Sequence, residues 1–308
     1  MTVAEINCYD AFGLILQSEF NLPELYPRTA PIGPLDMEKL VFIRRGEAGR
    51  GLADSRRLAD WIEVNDVDCL YTFPGYCQIR VRSGQEIIVE LEEGASESDM
   101  RAFLFGSALG TIAHQRRMIP LHISAIETAH GTFAFTGQSG AGKSTMVAAL
   151  SKLNGWRIVC DDMACLLPEA GTLKLFGGVR RNKLWADAIS HLSMGERPMH
   201  RDIARADKFH IEIEDSGLGS FGPVSSFFQL EWADEAQILP LSSGRSYAAV
   251  MNSVYRPYLV PVFNDLETVR TRLAEFTDAT PCYRLLRPKS FDRLSNVSRQ
   301  IEEHMQTT

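Results

Sequence analysis

The run Gly137-Gln138-Ser139-Gly140-Ala141-Gly142-Lys143-Ser144-Thr145 constrains this 308-residue chain more than any other feature. A glycine, four residues, then Gly-Lys-Ser is the spacing of a loop that wraps phosphate, and such a loop works only between a strand and the start of a helix. The flanks agree: residues 132–136 read as a short apolar strand, and residues 145–153 carry apolar groups at helical spacing. Gly137, Gly140 and Gly142 free the backbone to turn N–H groups inward, and a helix starting near Lys143 aims its positive end at the same anion. Ser139 and Ala141 within the loop and Thr145 in the first helical turn are expected to complete the cradle. Lys143 is expected to reach the terminal phosphates of ATP, and the Ser144 hydroxyl to ligate Mg²⁺.

Residues 156–160 read as a buried strand that ends in Asp161-Asp162. Carboxylates at such an end can hold the metal or accept a proton from an attacking hydroxyl, although an acidic turn or a helix cap has the same pattern. Strand, glycine-rich loop, helix, strand predicts an α/β P-loop nucleotide-binding core.

Before it, residues 1–95 alternate short apolar runs with turn signals: 12–17, 40–43, 70–73, 77–82 and 87–91, with Ser83-Gly84 reading as a tight turn. They predict a smaller β-rich N-terminal domain, a solvated link at 92–98, and a second domain over 96–308. That second domain is expected to open on a helix over 97–115 capped by Ser96 or Ser98, and to end with a helix over 266–277, a strand over 282–286 and an amphipathic helix over 290–305.

A net charge of −7 speaks against a large nucleic-acid footprint. No apolar stretch is long enough to span a membrane, and the first residues lack a secretion signal, so a cytoplasmic location is expected. Cys8, Cys69, Cys77, Cys160, Cys165 and Cys282 show no zinc-site spacing and read as buried thiols. A homo-oligomer is compatible with all of this.

The stretch from Leu121-His122-Ile123-Ser124 through the glycine loop to Cys160-Asp161-Asp162 resembles the core of the HPr serine kinase/phosphorylase family. Beyond that core, Phe12-Gly13-Leu14, Leu22-Pro23-Glu24-Leu25 and Pro120-Leu121-His122 resemble the divergent kinases associated with lasso-peptide biosynthesis. By position alone His122 fits either a hydrogen-bonded core residue or a chemical group; the resemblance implies that it sits beside the catalytic aspartate and tunes its protonation. The resemblance also implies Asp161 as general base and Asp162 as metal ligand with Ser144, an assignment that spacing cannot distinguish from its reverse. The family's later Glu-x-Arg-Gly segment has no counterpart here. Residues 176–185 instead contain Arg180, Arg181 and Lys183, which fit either a cationic clamp on the transferring phosphoryl group or a solvated basic turn. Lys208 is a weaker candidate of the same kind.

Together these readings predict a Mg²⁺-dependent ATP kinase for a serine hydroxyl of a peptide, with the C-terminal serine of a lasso-peptide precursor as the implied acceptor. The alternatives are a bifunctional HPr kinase/phosphorylase acting on a carrier protein, and a nucleotide-dependent binding module without phosphoryl transfer.

Overall fold

A computed structural model describes residues 6–203, 205–213 and 220–307. The chain is a mixed α/β protein with several sheets, and it divides into two compact units: residues 1–120 with 255–268, and 121–254 with 269–308. The division falls at Pro120 and not at residue 95, because the helical stretch 97–115 groups with the first unit.

The first unit holds a nine-stranded sheet built from residues 7–91. Ser83 and Gly84 both have positive φ and turn the chain from the strand Cys77–Arg82 into Glu86–Leu91, as the turn signal predicts. Phe12 and Gly13 do the same, with φ of 55° and 76°, so the expected strand from residue 12 is in fact a hairpin between Asn7–Ala11 and Leu14–Ser18. A buried aromatic is an unusual occupant of that backbone region, which is why the pattern disguises the turn. Phe12, Leu22 and Leu25 are all buried, so packing accounts for much of the Phe-Gly-Leu and Leu-Pro-Glu-Leu patterns.

The helical stretch comprises Glu97–Phe103, a wider turn over Leu104–Ala108, and Leu109–Gln115. Ser96 caps it, its hydroxyl oxygen accepting from the Asp99 N–H at 3.1 Å. It is pinned to the sheet by the stacked Phe73 and Phe103 rings and by a 2.7 Å hydrogen bond between the Tyr71 and Thr111 hydroxyls.

The second unit is organised by a six-stranded sheet in the order Arg157–Cys160, Ser124–Thr128, Gly131–Thr136, Val224–Trp232, Cys282–Arg287, Gln237–Pro240. Ser124–Thr128 is antiparallel to both of its neighbours, so Arg157–Cys160 and Gly131–Thr136 run the same way. Val224–Trp232 and Cys282–Arg287 share that direction. Four strands therefore deliver their carboxyl ends to one edge of the sheet.

One face is covered by the helices Lys143–Asn154 and Leu294–Thr307, which bury Met146, Val147, Leu150, Val297 and Ile301 against Phe133, Phe135 and Phe228. Phe227 alternates to the other face and meets Phe276 edge-on. Beside this sheet lie the hairpin Ala164–Glu169 with Thr172–Phe176, and a three-stranded sheet of Arg181–Trp185, Lys208–Glu212 and Met199–Arg201. Among the described residues no helix is long and apolar enough to cross a membrane, and no disulfide is formed; every cysteine except Cys8 is buried.

Candidate functional site

The glycine loop leaves the carboxyl end of Gly131–Thr136 and enters the helix Lys143–Asn154. Gly137, Gly140 and Gly142 all have positive φ, which glycine adopts without the crowding a Cβ brings. At Gly137 a side chain would also have no room: a Cβ would lie 2.9 Å from the Ala141 Cβ and 3.1 Å from the Leu230 carbonyl oxygen. The loop closes through the Ala141 N–H, which donates to the Gln138 carbonyl at 3.0 Å. Gly142 occupies the cap position of the helix with no side-chain cap, and the N–H groups of Lys143, Ser144 and Thr145 follow in the first turn. Lys143 is only 7% exposed, and its ammonium donates to the Gly137 carbonyl at 2.8 Å across the mouth of the loop. Burial lowers its pKa, against the opposing pull of Asp161 and Asp162.

The two aspartates follow directly on the strand Arg157–Cys160, at the same edge of the sheet, and their surroundings differ. Asp161 is 5% exposed, and both of its oxygens accept: one from the Ser124 hydroxyl at 2.5 Å, the other from the Lys183 backbone N–H at 2.8 Å. Asp162 has a φ of 79°, a left-handed conformation that aspartate tolerates better than most residues, and its carboxyl is 21% exposed. One oxygen accepts from the Lys183 ammonium at 2.6 Å, and the other lies 3.5 Å from His122 Nδ1. Burial of Asp162 would raise its pKa, but Lys183, then His122 and Arg181, outweigh it and hold the carboxyl well below the usual carboxylate range. Burial lowers the His122 pKa, with Asp162 pulling the other way.

The structure therefore brings together Lys143, Asp161, Asp162 and His122, and adds Lys183 to them. Arg180 and Arg181 have other partners: Arg180 pairs with Glu212 at 3.6 Å, while Arg181, which is buried, donates to His210 Nδ1 at 3.4 Å. His210 in turn donates from Nε2 to Asp202 at 2.9 Å. Lys208 feels the charges of Lys183 and Asp161 as well as its own burial, which lowers its pKa first of all.

Gly177 explains how residues 180–183 reach the aspartates. A Cβ at Gly177 would run into the Val159 carbonyl, so only a glycine lets the segment pass against the aspartate strand and on into Arg181–Trp185.

Sequence reasoning misses Ser124 and Asn182. Ser124 lies two residues after His122, the spacing that puts alternate strand residues on one face, and that was the available signal. Asn182 is fully buried, with its amide 3.4 Å from the Ser144 carbonyl, and nothing in its neighbours marks it out.

The donor set fits ATP with Mg²⁺. The loop offers backbone N–H groups and a buried ammonium to phosphate, and the Ser144 hydroxyl and the aspartates are hard oxygen ligands of the kind magnesium takes.

No family model matches the chain, and no curated protein matches it. Among solved structures, the HPr(Ser) kinase/phosphatase from Coxiella burnetii aligns over 61% of this chain and 97% of its own, at 11% identity and a TM-score of 0.31. A score of that size carries neither a fold nor an activity from one chain to the other.

Proposed function

We propose that this chain is a Mg²⁺-dependent ATP kinase that phosphorylates a serine hydroxyl of a peptide. One observation supports the reading above the rest: the glycine loop with its buried Lys143 and the Asp161-Asp162 pair occupy one edge of one sheet, with the aspartates at the end of a strand parallel to the loop strand. Binding of a polyphosphate alone does not account for two carboxylates there, one of them held ionised beside a lysine and a histidine.

In this reading, the N–H groups of residues 137–145 and the Lys143 ammonium hold the triphosphate, with Lys143 exchanging its Gly137 carbonyl for phosphate oxygens. Ser144 and one aspartate would hold magnesium, which would supply charge neutralisation at the phosphoryl group. The geometry favours exchanging the two aspartate roles. Asp161 is fixed by two donors and buried, as a rigid metal-side carboxylate should be. Asp162 is the more accessible, and it takes the hydroxyl proton as the oxygen attacks the γ-phosphorus and the bond to the leaving ADP breaks. His122 orients it. Arg181 and Lys183 keep the Asp162 carboxyl ionised, a different task from clamping phosphate.

For the acceptor we take the C-terminal serine of a lasso-peptide precursor. Its support is the resemblance carried by Phe12-Gly13-Leu14, Leu22-Pro23-Glu24-Leu25 and Pro120-Leu121-His122, together with the ease with which a mobile chain end enters a recessed site. The test is to incubate the protein and labelled ATP with a precursor ending in serine and with one lacking the terminal hydroxyl. A mass gain of one phosphate on the first alone is expected. Label released only as free phosphate would overturn the kinase reading; equal labelling of both peptides would overturn the terminal serine.

A further inference from the structure

We propose that Trp232 is the platform on which the base of the bound nucleotide stacks. The inference rests on the reading that the glycine loop holds ATP, and it assigns the half of the nucleotide that the loop does not touch.

Ligands of open α/β sheets lie in the crevice outside the carboxyl ends of the parallel strands. Here the loop strand Gly131–Thr136 has the aspartates on one side, beyond Ser124–Thr128. On its other side come Val224–Trp232 and Cys282–Arg287, both parallel to it. Each of these ends on a distinctive residue, and the two residues are direct register partners: Trp232 and Arg287. With phosphate chemistry on the aspartate side, the nucleoside is left the opposite side, over these two strand ends.

The contacts fit a base. Trp232 stays 41% exposed although its indole reaches the loop: a Cβ on Gly142 would be 3.3 Å from its Cη2. One face of the ring is covered by the Arg287 guanidinium, 4.0 Å from the ring centroid. Arg287 is itself only 3% exposed. Its Nη2 donates to the Ala141 carbonyl inside the loop, and its Nε has no hydrogen-bond partner among the described residues. A buried arginine is thus spent on fixing one indole against the phosphate loop. That leaves a rigid, partly exposed π-surface beside the phosphates. Aromatic platforms of this kind accept any base, because every base has a π-face.

The test titrates the whole chain with a magnesium complex of a non-hydrolysable ATP analogue and, separately, with magnesium tripolyphosphate. Trp232→Ala should weaken the nucleotide by roughly 5- to 150-fold, the range that one lost base stack spans, and leave tripolyphosphate unchanged. Trp232→Phe should recover most of the affinity. Tryptophan fluorescence of the unaltered protein should respond to the nucleotide and not to tripolyphosphate, and Trp232→Phe should abolish that response; this arm decides the matter if the alanine variant does not fold. Nucleotide affinity unchanged in Trp232→Ala, or equal weakening of both ligands, overturns the platform while the ATP reading stands. An unaltered protein that binds neither ligand overturns both.

Discussion

Replacing each aspartate separates holding the site together from doing its chemistry. Asp161→Ala removes the acceptor of the Ser124 hydroxyl and of the Lys183 N–H, at a position that is 5% exposed. Each orphaned buried donor costs roughly 1–3 kcal/mol, so losing the acceptor of two should cost about 2–6 kcal/mol of the 5–15 kcal/mol that stabilises a typical domain. Asp162→Asn is different. Asparagine tolerates the left-handed backbone at φ 79°, and its carbonyl oxygen still accepts from Lys183. What is lost is the carboxylate charge beside the Lys183 ammonium at a site only about one-fifth exposed, a cost of roughly 1–3 kcal/mol. Turnover should nevertheless fall by the 10²–10⁴-fold of a lost general base. Urea unfolding reads the first quantity, and labelled phosphate transfer to the peptide reads the second. The reasoning fails if Asp162→Asn keeps turnover within a few-fold of the parent, or if Asp161→Ala unfolds at the parent's urea concentration.

Lys143→Ala should cut turnover by at least about 10²-fold and weaken nucleotide binding, since it removes the one ammonium set across the loop mouth; calorimetric titration showing parental affinity would contradict this. His114 donates from Nε2 to the Tyr255 carbonyl at 2.7 Å while its buried Nδ1 has no partner among the described residues, and burial pushes its pKa down from 6.5 to about 4. The stability this brings is whole above pH about 6.5 and falls by roughly 3 kcal/mol as pH drops to about 4, so urea unfolding of His114→Gln should show a shallower acid slope than the parent, and equal slopes would refute it. Gly177→Ala should destabilise by roughly 1–3 kcal/mol, because its methyl meets the Val159 carbonyl; an unchanged urea midpoint would show that the segment can move aside.

What could be read in the sequence was what depends on neighbours along the chain. The loop was legible because its glycines answer a backbone demand that nine consecutive residues express. The aspartates were legible because a strand end precedes them directly. Their environments were not, since Asp161 is held by Ser124 from 37 residues earlier and by Lys183 from 22 residues later, and tertiary contacts, not local pattern, join them. Phe12 misled for a related reason: apolar identity signalled a strand, while the left-handed backbone that makes it a turn leaves no mark on an aromatic residue. Trp232 and Arg287 lie 55 residues apart and meet only because two parallel strands end in register.

Lys183 shows how the segment 180–183 changes meaning between sequence and structure. As a string, Arg180-Arg181-Asn182-Lys183 is a cluster of positive charge beside a phosphate loop, and a clamp on phosphate is the natural reading. In the fold, Arg180 turns to Glu212, Arg181 to His210, and Lys183 to both aspartates at once, its main chain donating to Asp161 and its ammonium to Asp162. One residue thereby fixes the distance between two carboxylates that adjacent positions on an ordinary strand would send to opposite faces. The left-handed Asp162 is part of the same arrangement, because it turns the second carboxyl back toward Lys183 and His122. The cation that reads in the sequence as a ligand for substrate instead bridges the two carboxylates. Lys143, whose ammonium donates to a loop carbonyl and not to a carboxylate, is in position to exchange that partner for phosphate.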